Sequence, residues 1–312
     1  MAWLESQNFA VVRTELDTVF FQTFDYDTKD PIISTVRDGR LFKQVTITNQ
    51  AYIEEIASGV GLFPKVGEVQ NVPTYTPIVA NKIITPVNDY ANAIEVSKNL
   101  YDDNMHSVWA KHIADFALKA RVSQDKYGFD WFNNAFTTSL TADGTAFCGT
   151  HTLLQGGTQS NIVPADANGS TALSNETLNN AIVALRTMKD QAGVILGDVP
   201  SILLVPPQLF QLAIQLTQSA LQADVANNAI NVWRSAYGMV VKTSPYLTSS
   251  TAWFLLADRH SVTRIVRQGV QTALRDWSYS SNRTYLYQAN FREVVYAPDY
   301  AGAVGASGVG GV

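Results

Sequence analysis

The spacing of apolar positions predicts one long helix near the middle of the chain. Between residues 105 and 120, apolar side chains recur three and four residues apart, which places them on one helical face: Met105, Val108, Trp109, His112, Ile113, Phe116, Ala117 and Ala120. Asp102 and Asp103 precede this run, where carboxylates favour the positive end of a helix dipole. We therefore predict a spine helix from Asp103 to Lys126, with His112 as a core histidine.

The second half of the chain has an alternating helix and strand pattern. Ser174 is a predicted N-cap for a helix whose inner face carries Leu178, Ile182, Leu185 and Met188. A second helix is predicted after Pro206 and Pro207, and strands are predicted at 201–205, 239–242, 253–257, 262–267, 284–288 and 291–296. Residues 301–312 consist of Ala, Gly, Val and Ser alone. This segment has no large apolar side chain to bury, which predicts a flexible tail.

The first hundred residues have weaker periodicity. We predict an extended arm with a short helix near Glu15, a strand over 43–47 and, from the spacing of Ile53, Ile56 and Ala57, a helical turn. The segment 68–96 is rich in Val, Ile, Thr and Pro, and its prolines restrict it to edge or irregular strands. Because an isolated two-stranded ribbon is only marginally stable, we predict an arm-like hairpin that packs on another subunit.

Composition favours a protein that offers surface to partners. The chain has 312 residues and a net charge of -5, and only 16% of its residues are charged. An acidic balance without a basic cluster is untypical of a dedicated nucleic-acid binder. The N-terminus lacks the features of a signal peptide and no apolar run is long enough to span a bilayer, so we expect a soluble protein made in a reducing cytoplasm.

Few residues suggest chemistry. Cys148 and His151 are the one pair that could provide a nucleophile and its base, but no orienting third group or oxyanion site accompanies them. Asp25, Asp27 and Asp30 lack the glycine and terminal glutamate of a calcium loop. We predict no catalytic, cofactor-binding or metal-binding residues, and therefore no enzyme and no cofactor.

An ordered series of motifs from Tyr90 onward resembles the major head proteins of tailed bacteriophages, in particular the Mu-like head subunit family with the HK97-type capsid fold. The motifs are 94–103 (IEVSKNLYDD), 133–136 (NNAF) with Asp143-Gly144, 147–151 (FCGTH), 156–161 (GGTQSN), 200–207 with its LLVPP core, 226–231 (ANNAIN) and 252–258 (AWFLLAD). They extend over about two thirds of the chain. One departure is Thr152 after His151, where the family often has proline.

The resemblance implies an α+β, HK97-type fold with a defined layout. It comprises an N-terminal arm (1–40), the start of a peripheral domain (41–65), an extended hairpin loop (66–92), the peripheral domain with its spine helix (93–139), an axial domain (140–280), C-terminal strands returning to the peripheral domain (281–300) and the tail (301–312). The hairpin loop is expected to lie over a neighbouring subunit.

The same resemblance implies the function of a major capsid protein in the virion. Copies are expected to form pentamers and hexamers of an icosahedral head that encloses double-stranded DNA, assembled in the host cytoplasm without a membrane. A separate scaffolding protein, a portal and a decoration or cement protein are the expected partners, with non-specific contacts to the DNA. The alternatives are an encapsulin-like compartment of the same fold, a hydrolase using Cys148 and His151, and a tail or baseplate adhesin, which the long helix disfavours.

Overall fold

The computed structural model describes residues 2–25, 33–58, 61–68, 70–74, 76, 79–99, 106–219, 231–276 and 282–308. Its helices are α1 (Ala2–Phe24), α2 (His106–Asn133), α3 (Asn175–Arg186), α4 (Phe210–Gln218, after the 3-10 turn Pro207–Leu209) and α5 (Val232–Ala236). Its strands are β1 (Lys43–Thr46), β2 (Ala51–Ala57), β3 (Val79–Pro86), β4 (Asn88–Ser97), β5 (Thr150–Thr152), β6 (Thr158–Ser160), β7 (Pro200–Val205), β8 (Val240–Thr243), β9 (Trp253–Ala257), β10 (Thr263–Arg275), β11 (Thr284–Tyr296) and β12 (Ala303–Ala306).

Two long strands from the C-terminal part of the chain form the centre of the first sheet, whose order is β1-β10-β11-β4. β10 and β11 each have 13 residues and pair antiparallel, with irregularities between Val266 and Gln271. β4 pairs antiparallel with β11 over its whole length, and β1 is parallel to β10. The sheet therefore joins strands that are about 190 to 220 residues apart in sequence, estimated from the numbering of the paired residues.

The spine helix α2 packs against this sheet and also against α1. With 28 residues it is about 42 Å long at 1.5 Å per residue. Phe20 of α1 is fully buried between Phe116 of α2 and Tyr287 of β11, with ring centroids 5.9 and 6.1 Å away. Asp17 of α1 accepts hydrogen bonds from the hydroxyls of Tyr287 and Thr272, at 2.8 and 2.7 Å. These contacts hold α1 in place.

The second sheet, with order β12-β9-β7-β8, is covered on both faces. Leu203 and Leu255 belong to a buried cluster formed with α3 and α4, whereas Leu204 and Phe254 belong to a cluster with Phe132 of α2. Since neighbouring strand residues point to opposite faces, a strand buried on both faces is apolar throughout. This burial explains the continuous apolar sequences of β7 and β9. The contacts of Leu204 and Phe254 with Phe132 connect the second sheet to the C-terminal end of the spine helix.

Several predicted elements are observed. Ser174 caps α3 in a capping box with Thr177, and Leu178, Ile182, Leu185 and Met188 are buried as predicted. The strand at 253–257 has the predicted limits. The spine helix is observed from His106 and continues past the predicted end to Asn133, while Asp102 and Asp103 lie outside the described residues.

The predictions for the N-terminal region need correction. The predicted extended arm contains a 23-residue helix, α1, because Leu16, Phe20 and Phe24 at four-residue spacing pack against α2. The predicted helical turn at Ile53 and Ile56 is the strand β2, which is paired with β3 along its length. An extended hairpin is observed over 51–86 and not over the predicted 66–92, since β3 pairs with β2 and the following strand β4 pairs with β11.

The C-terminal predictions also need correction. Residues 303–306 of the predicted flexible tail form β12, which is buried and paired with β9. The predicted strand pair at 284–288 and 291–296 is one continuous strand, β11. β10 lies in the first sheet, although 263–275 was assigned to the axial domain. His112 is exposed on α2, so it is no core histidine.

Gly128 in the spine helix makes room for the chain segment that follows α1. A Cβ on Gly128 would lie 3.0 Å from Val36 Cβ and closer still to Val36 Cγ2. Val36 is buried and cannot withdraw without opening the core. We therefore expect Gly128→Ala to lower the free energy of unfolding by about 1–3 kcal/mol, despite the better helix propensity of alanine. Urea unfolding monitored by circular dichroism measures this loss, and an unchanged or higher midpoint contradicts it.

Candidate assembly surface

The ribbon, defined as β2, β3 and the residues between them (51–86), has one face on the subunit and one face open. Tyr52 and Ile83 on the inner face pack against the buried cluster of Val87, Ile265 and Tyr296. On the outer face, Ile53 and Ile84 lie directly opposite each other and are 51% and 60% exposed. An apolar cross-strand pair stabilises a ribbon only modestly while it faces water. The outer face is therefore suited to contact with another molecule.

The ribbon tip, defined as the described residues 61–68 and 70–74, has the features expected of a contact surface. Every described residue from 62 to 74 is exposed. The tip includes Leu62, Phe63 and Val72, which are 73%, 95% and 75% exposed. Scattered exposed apolar residues are normal, but a group of them on one exposed segment marks an interaction site.

A cluster of buried charges lies between the spine helix and the first sheet. Arg264 of β10 forms a buried ion pair with Glu293 of β11, which also accepts a hydrogen bond from Gln124 of α2 at 3.2 Å. Next to them, Asp125 of α2 accepts a hydrogen bond from the Val36 amide at 2.8 Å. The cluster thus ties the segment after α1, the spine helix and the first sheet together.

Burial raises the pKa of both acidic residues of this cluster. Burial raises the pKa of Glu293, and the neighbouring Arg264 acts in the opposite direction. Burial likewise raises the pKa of Asp125, offset in part by the hydrogen bond from the Val36 amide. Such shifts can mark functional sites, but structural ion pairs produce them as well. Here the groups are enclosed by packed elements, which indicates a structural role.

Cys148 and His151 do not form a catalytic pair. Cys148 is buried among Phe132, Phe147 and Phe254, and its burial raises the pKa of the thiol. A Cβ on Gly305 of β12 would collide with its Sγ, so the thiol fills the space beside that strand. A thiol without charge stabilisation or access to solvent is a poor nucleophile.

His151 belongs to a different neighbourhood. Its ring stacks on Tyr300 with centroids 4.4 Å apart, and its Nδ1 lies 2.8 Å from Asp143 Oδ2. Burial acts to raise the pKa of Asp143, but the hydrogen bonds from His151, Thr141 and the Thr145 amide outweigh it and hold the pKa below its usual range. The Asp143–His151 contact holds the loop before β5 against β5, and the stacking of His151 on Tyr300 connects both to the segment that leads into β12.

This arrangement gives a pH prediction. A carboxyl group whose folded pKa is lowered contributes stability above its unfolded pKa of about 3.9, and this contribution is lost as the pH falls. Because the folded pKa of Asp143 lies far below that value, we expect Asp143→Asn to cost about 1–3 kcal/mol at pH 6 and clearly less only at pH 2. Urea unfolding at both pH values measures the difference. Asp190→Asn is the control, because among the described residues the Asp190 carboxylate accepts hydrogen bonds from the Ala192 and Val194 amides and from no side chain. Equal behaviour of the two variants contradicts the assignment.

The described residues hold no group of three His, Cys, Asp or Glu side chains that could bind a metal ion. Within the same part of the chain, no helix has the length and apolar character needed to cross a bilayer. Of the three acidic residues considered for a calcium loop, Asp27 and Asp30 lie outside the described residues, and Asp25 pairs with Arg37 at 3.7 Å.

Two residues with structural roles escaped the sequence analysis. Asp17 joins α1 to the first sheet, and Asn161 joins the loop after Phe147 to β12 by donating to the Phe147 and Ala303 carbonyls and accepting from the Gly149 amide. Their partners are 12 to 270 residues away in sequence, so no local pattern reveals them.

Comparison with known protein families identifies the family to which the chain belongs. A family model described as phage capsid protein matches residues 80–306, which is more than two thirds of the chain. The chain belongs to the phage capsid protein family. The match does not distinguish the Mu-like subfamily, which stays a prediction. No curated protein matches this capsid subunit.

Solved structures show the fold of the capsid subunit. A virus-like particle from Pyrococcus furiosus matches with a TM-score of 0.54 and 9% identity, covering 94% of this chain and 98% of the other. Microbacterium phage Oxtober96 matches with a TM-score of 0.54 and 12% identity, covering 90% and 93%. The encapsulin of Synechococcus elongatus matches with a TM-score of 0.51 and 11% identity, covering 91% and 92%. The capsid subunit has the α+β, HK97-type capsid fold and is a shell-forming structural protein.

Proposed function

We propose that this capsid subunit builds the icosahedral head of a tailed phage, as pentamers and hexamers that enclose the double-stranded DNA genome. The observation that carries the proposal is the ribbon tip, where Leu62, Phe63 and Val72 are exposed on a segment that its own subunit does not cover. Closed shells need such heterologous patches, each buried by the next copy. Assembly takes place in the cytoplasm of the bacterial host, and the product is the virion.

The proposed partners beyond further copies are a separate scaffolding protein, a portal and a decoration or cement protein. Contact with the packaged DNA is non-specific in this proposal. A net charge of -5 supports that part, because a subunit that bound DNA tightly would need an excess of Lys and Arg. The layout into arm, hairpin loop, peripheral and axial domains is proposed with the corrections described above.

Electron microscopy of the purified full-length protein tests the proposal. We expect closed shells, or pentamers and hexamers that close into shells when a crowding agent or the scaffolding protein is added. A subunit that stays monomeric under all these conditions overturns the proposed function.

An encapsulin-like compartment is the second candidate, since the Synechococcus elongatus encapsulin has the same fold. The family match to phage capsid protein favours the head. The contents of shells isolated from their natural source distinguish the two functions. Genomic double-stranded DNA supports the phage head, and an enclosed cargo protein without DNA supports the compartment.

We also propose that the subunit has no catalytic activity of its own. Replacing the buried thiol in Cys148→Ala removes one heavy atom from the core and is expected to cost no more than about 1–2 kcal/mol. Particle yield, measured by sedimentation, should stay nearly unchanged. An enzymatic activity that disappears in Cys148→Ala contradicts the proposal.

A further inference from the structure

Three connections between the two sheets meet at a buried histidine. The strap, defined as residues 33–43, runs from the edge of β8, where Ile33 forms a β-bridge, to the start of β1. The turn 258–262 joins β9 to β10, and the segment 297–302 joins β11 to β12. His260 in the turn is fully buried. The junction, defined as these three connections, therefore links the first sheet to the second.

His260 contacts both other connections of the junction. Its Nε2 lies 2.9 Å from the Arg40 carbonyl oxygen of the strap, and Nε2 is the donor because a carbonyl oxygen can only accept. A Cβ on Gly302 would lie 2.9 Å from the His260 Cα, so the third connection packs directly on its backbone. Beside it, Ser261 donates a hydrogen bond to the Asp299 carbonyl. The imidazole thus ties the strap to two connections that are already closely packed.

The His260 ring has no acceptor for a second proton. Since Nε2 carries the hydrogen bonded to Arg40, Nδ1 is the atom that takes up a proton in acid. This buried atom has no hydrogen-bond partner among the described residues. His151 differs, because its Nδ1 faces the Asp143 carboxylate at 2.8 Å. A proton on His260 Nδ1 therefore creates a buried cation with an unsatisfied N–H, which is costly.

The charges of the junction do not compensate for this cost. Burial lowers the pKa of His260, the hydrogen bond to the Arg40 carbonyl raises it, Lys43 lowers it and Asp258 raises it, and the pKa remains below its usual value. The other charged side chains of the three connections are Arg37, Asp38, Arg40, Arg259 and Asp299. The arginines repel a protonated ring. Both carboxylates have partners of their own, Lys242 for Asp38 and the Tyr300 amide for Asp299, each at 2.8 Å.

We propose that the hydrogen bond from His260 to the Arg40 carbonyl is an acid-sensitive clasp between the two sheets, closed while the imidazole is neutral and released when Nδ1 takes up a proton. This inference concerns the folded subunit and goes beyond the proposed function. A histidine whose folded pKa is lowered contributes stability that is lost as the pH falls below its unfolded pKa of about 6.5. In acid the strap, which follows α1 in the chain, is therefore held less tightly.

Amide hydrogen exchange of the full-length protein at pH 7 and pH 5 tests the clasp. The Lys43 amide donates to the Val262 carbonyl of the turn at 3.1 Å and reports on the strap. We expect its protection factor, corrected for the intrinsic effect of pH on exchange, to fall about tenfold at pH 5. An opened histidine of ordinary pKa sets an upper limit of about thirtyfold.

The helix α3 provides the internal reference for this measurement. Its buried residues belong to a different cluster from Leu41 and Phe42 of the strap, so its protection should stay unchanged at pH 5. An unchanged Lys43 amide overturns the proposal. An equal loss in α3 also overturns it, because acid would then destabilise the whole subunit and not the clasp.

His260→Gln supplies the matched variant. The glutamine amide nitrogen can donate to the Arg40 carbonyl but does not titrate, so the Lys43 protection factors at pH 7 and pH 5 should agree within about twofold. His112→Gln replaces an exposed histidine and should keep the loss seen in the wild type. A loss that persists in His260→Gln, or that disappears in His112→Gln, contradicts the assignment.

A titration of the wild-type protein does not depend on any variant that fails to fold. The chain has four histidines, so their ring signals can be followed by nuclear magnetic resonance after selective isotope labelling. At pH 7 we expect His260 to show a neutral ring with its hydrogen on Nε2, and to titrate with a midpoint below about 6. A midpoint at or above the ordinary pKa of about 6.5, or a hydrogen on Nδ1, overturns the proposal.

Discussion

Replacing residues 61–74 by a short Gly-Ser turn is expected to abolish shells while the subunit remains folded. The described residues of this segment contribute nothing to the four buried clusters of the subunit, so their loss removes little stabilisation. Leu62, Phe63 and Val72 are nevertheless the most exposed large apolar side chains among the described residues, and copies that lack them lose the contact surface. Circular dichroism should show an unchanged thermal midpoint, and electron microscopy should show no closed particles.

A length-matched variant separates apolar contact from loop length. Changing Leu62, Phe63 and Val72 together to serine keeps the tip intact in length and should also prevent assembly. Shells formed by both variants would contradict the role of the tip, and so would a turn variant that unfolds. Replacing residues 79–82 would instead destroy the ribbon itself, because they belong to β3 and Lys82 pairs with Glu55 of β2.

The largest loss of stability is expected from Glu293→Ala. This change leaves the Arg264 guanidinium buried without its carboxylate, and it also removes the acceptor of the Gln124 side chain. Removing one partner of a buried ion pair typically costs about 3–5 kcal/mol, because the other charge remains uncompensated. Urea unfolding of dissociated subunits measures the change in the free energy of unfolding.

A double substitution provides the control for the buried pair. Replacing Arg264 by Met and Glu293 by Leu removes both charges and keeps most of the volume, so we expect it to recover most of the lost stability. A double variant as unstable as Glu293→Ala would show that packing, and not the unpaired charge, causes the loss. A Glu293→Ala variant with unchanged stability would contradict the burial of the pair.

The sequence was most informative where structure depends on neighbours within one helix turn or one strand. Ser174 directly precedes the apolar pattern of α3, so it could be recognised as the N-cap, while its capping box with Thr177 became visible only in the structure. The apolar spacing of Ile113, Phe116 and Ala117 marked the buried face of the spine helix. His112 beside them is exposed, because a helical stripe read from sequence has uncertain edges.

The ribbon illustrates how far such patterns extend. Apolar and Pro-rich composition indicated a projecting segment with a partner elsewhere, which the exposed tip supports. The pairing of the strands was mispredicted, since β3 could pair with the strand before it or with the strand after it. Both choices satisfy the local alternation, and the decision depends on β11 occupying the edge of β4.

The sequence by itself determined the spine helix, the α3 helix with its cap and the buried strands β7 and β9. The helices have a periodic apolar pattern, and each of these strands is a short continuous apolar run. Only the tertiary structure decided that residues 303–306 form a strand, since Ala, Val and Gly become a buried edge through pairing with β9 about 50 residues earlier. It also decided that α1 is a helix docked on α2. Each of these depends on burial against distant residues, and a local pattern contains no record of which distant surface will provide it.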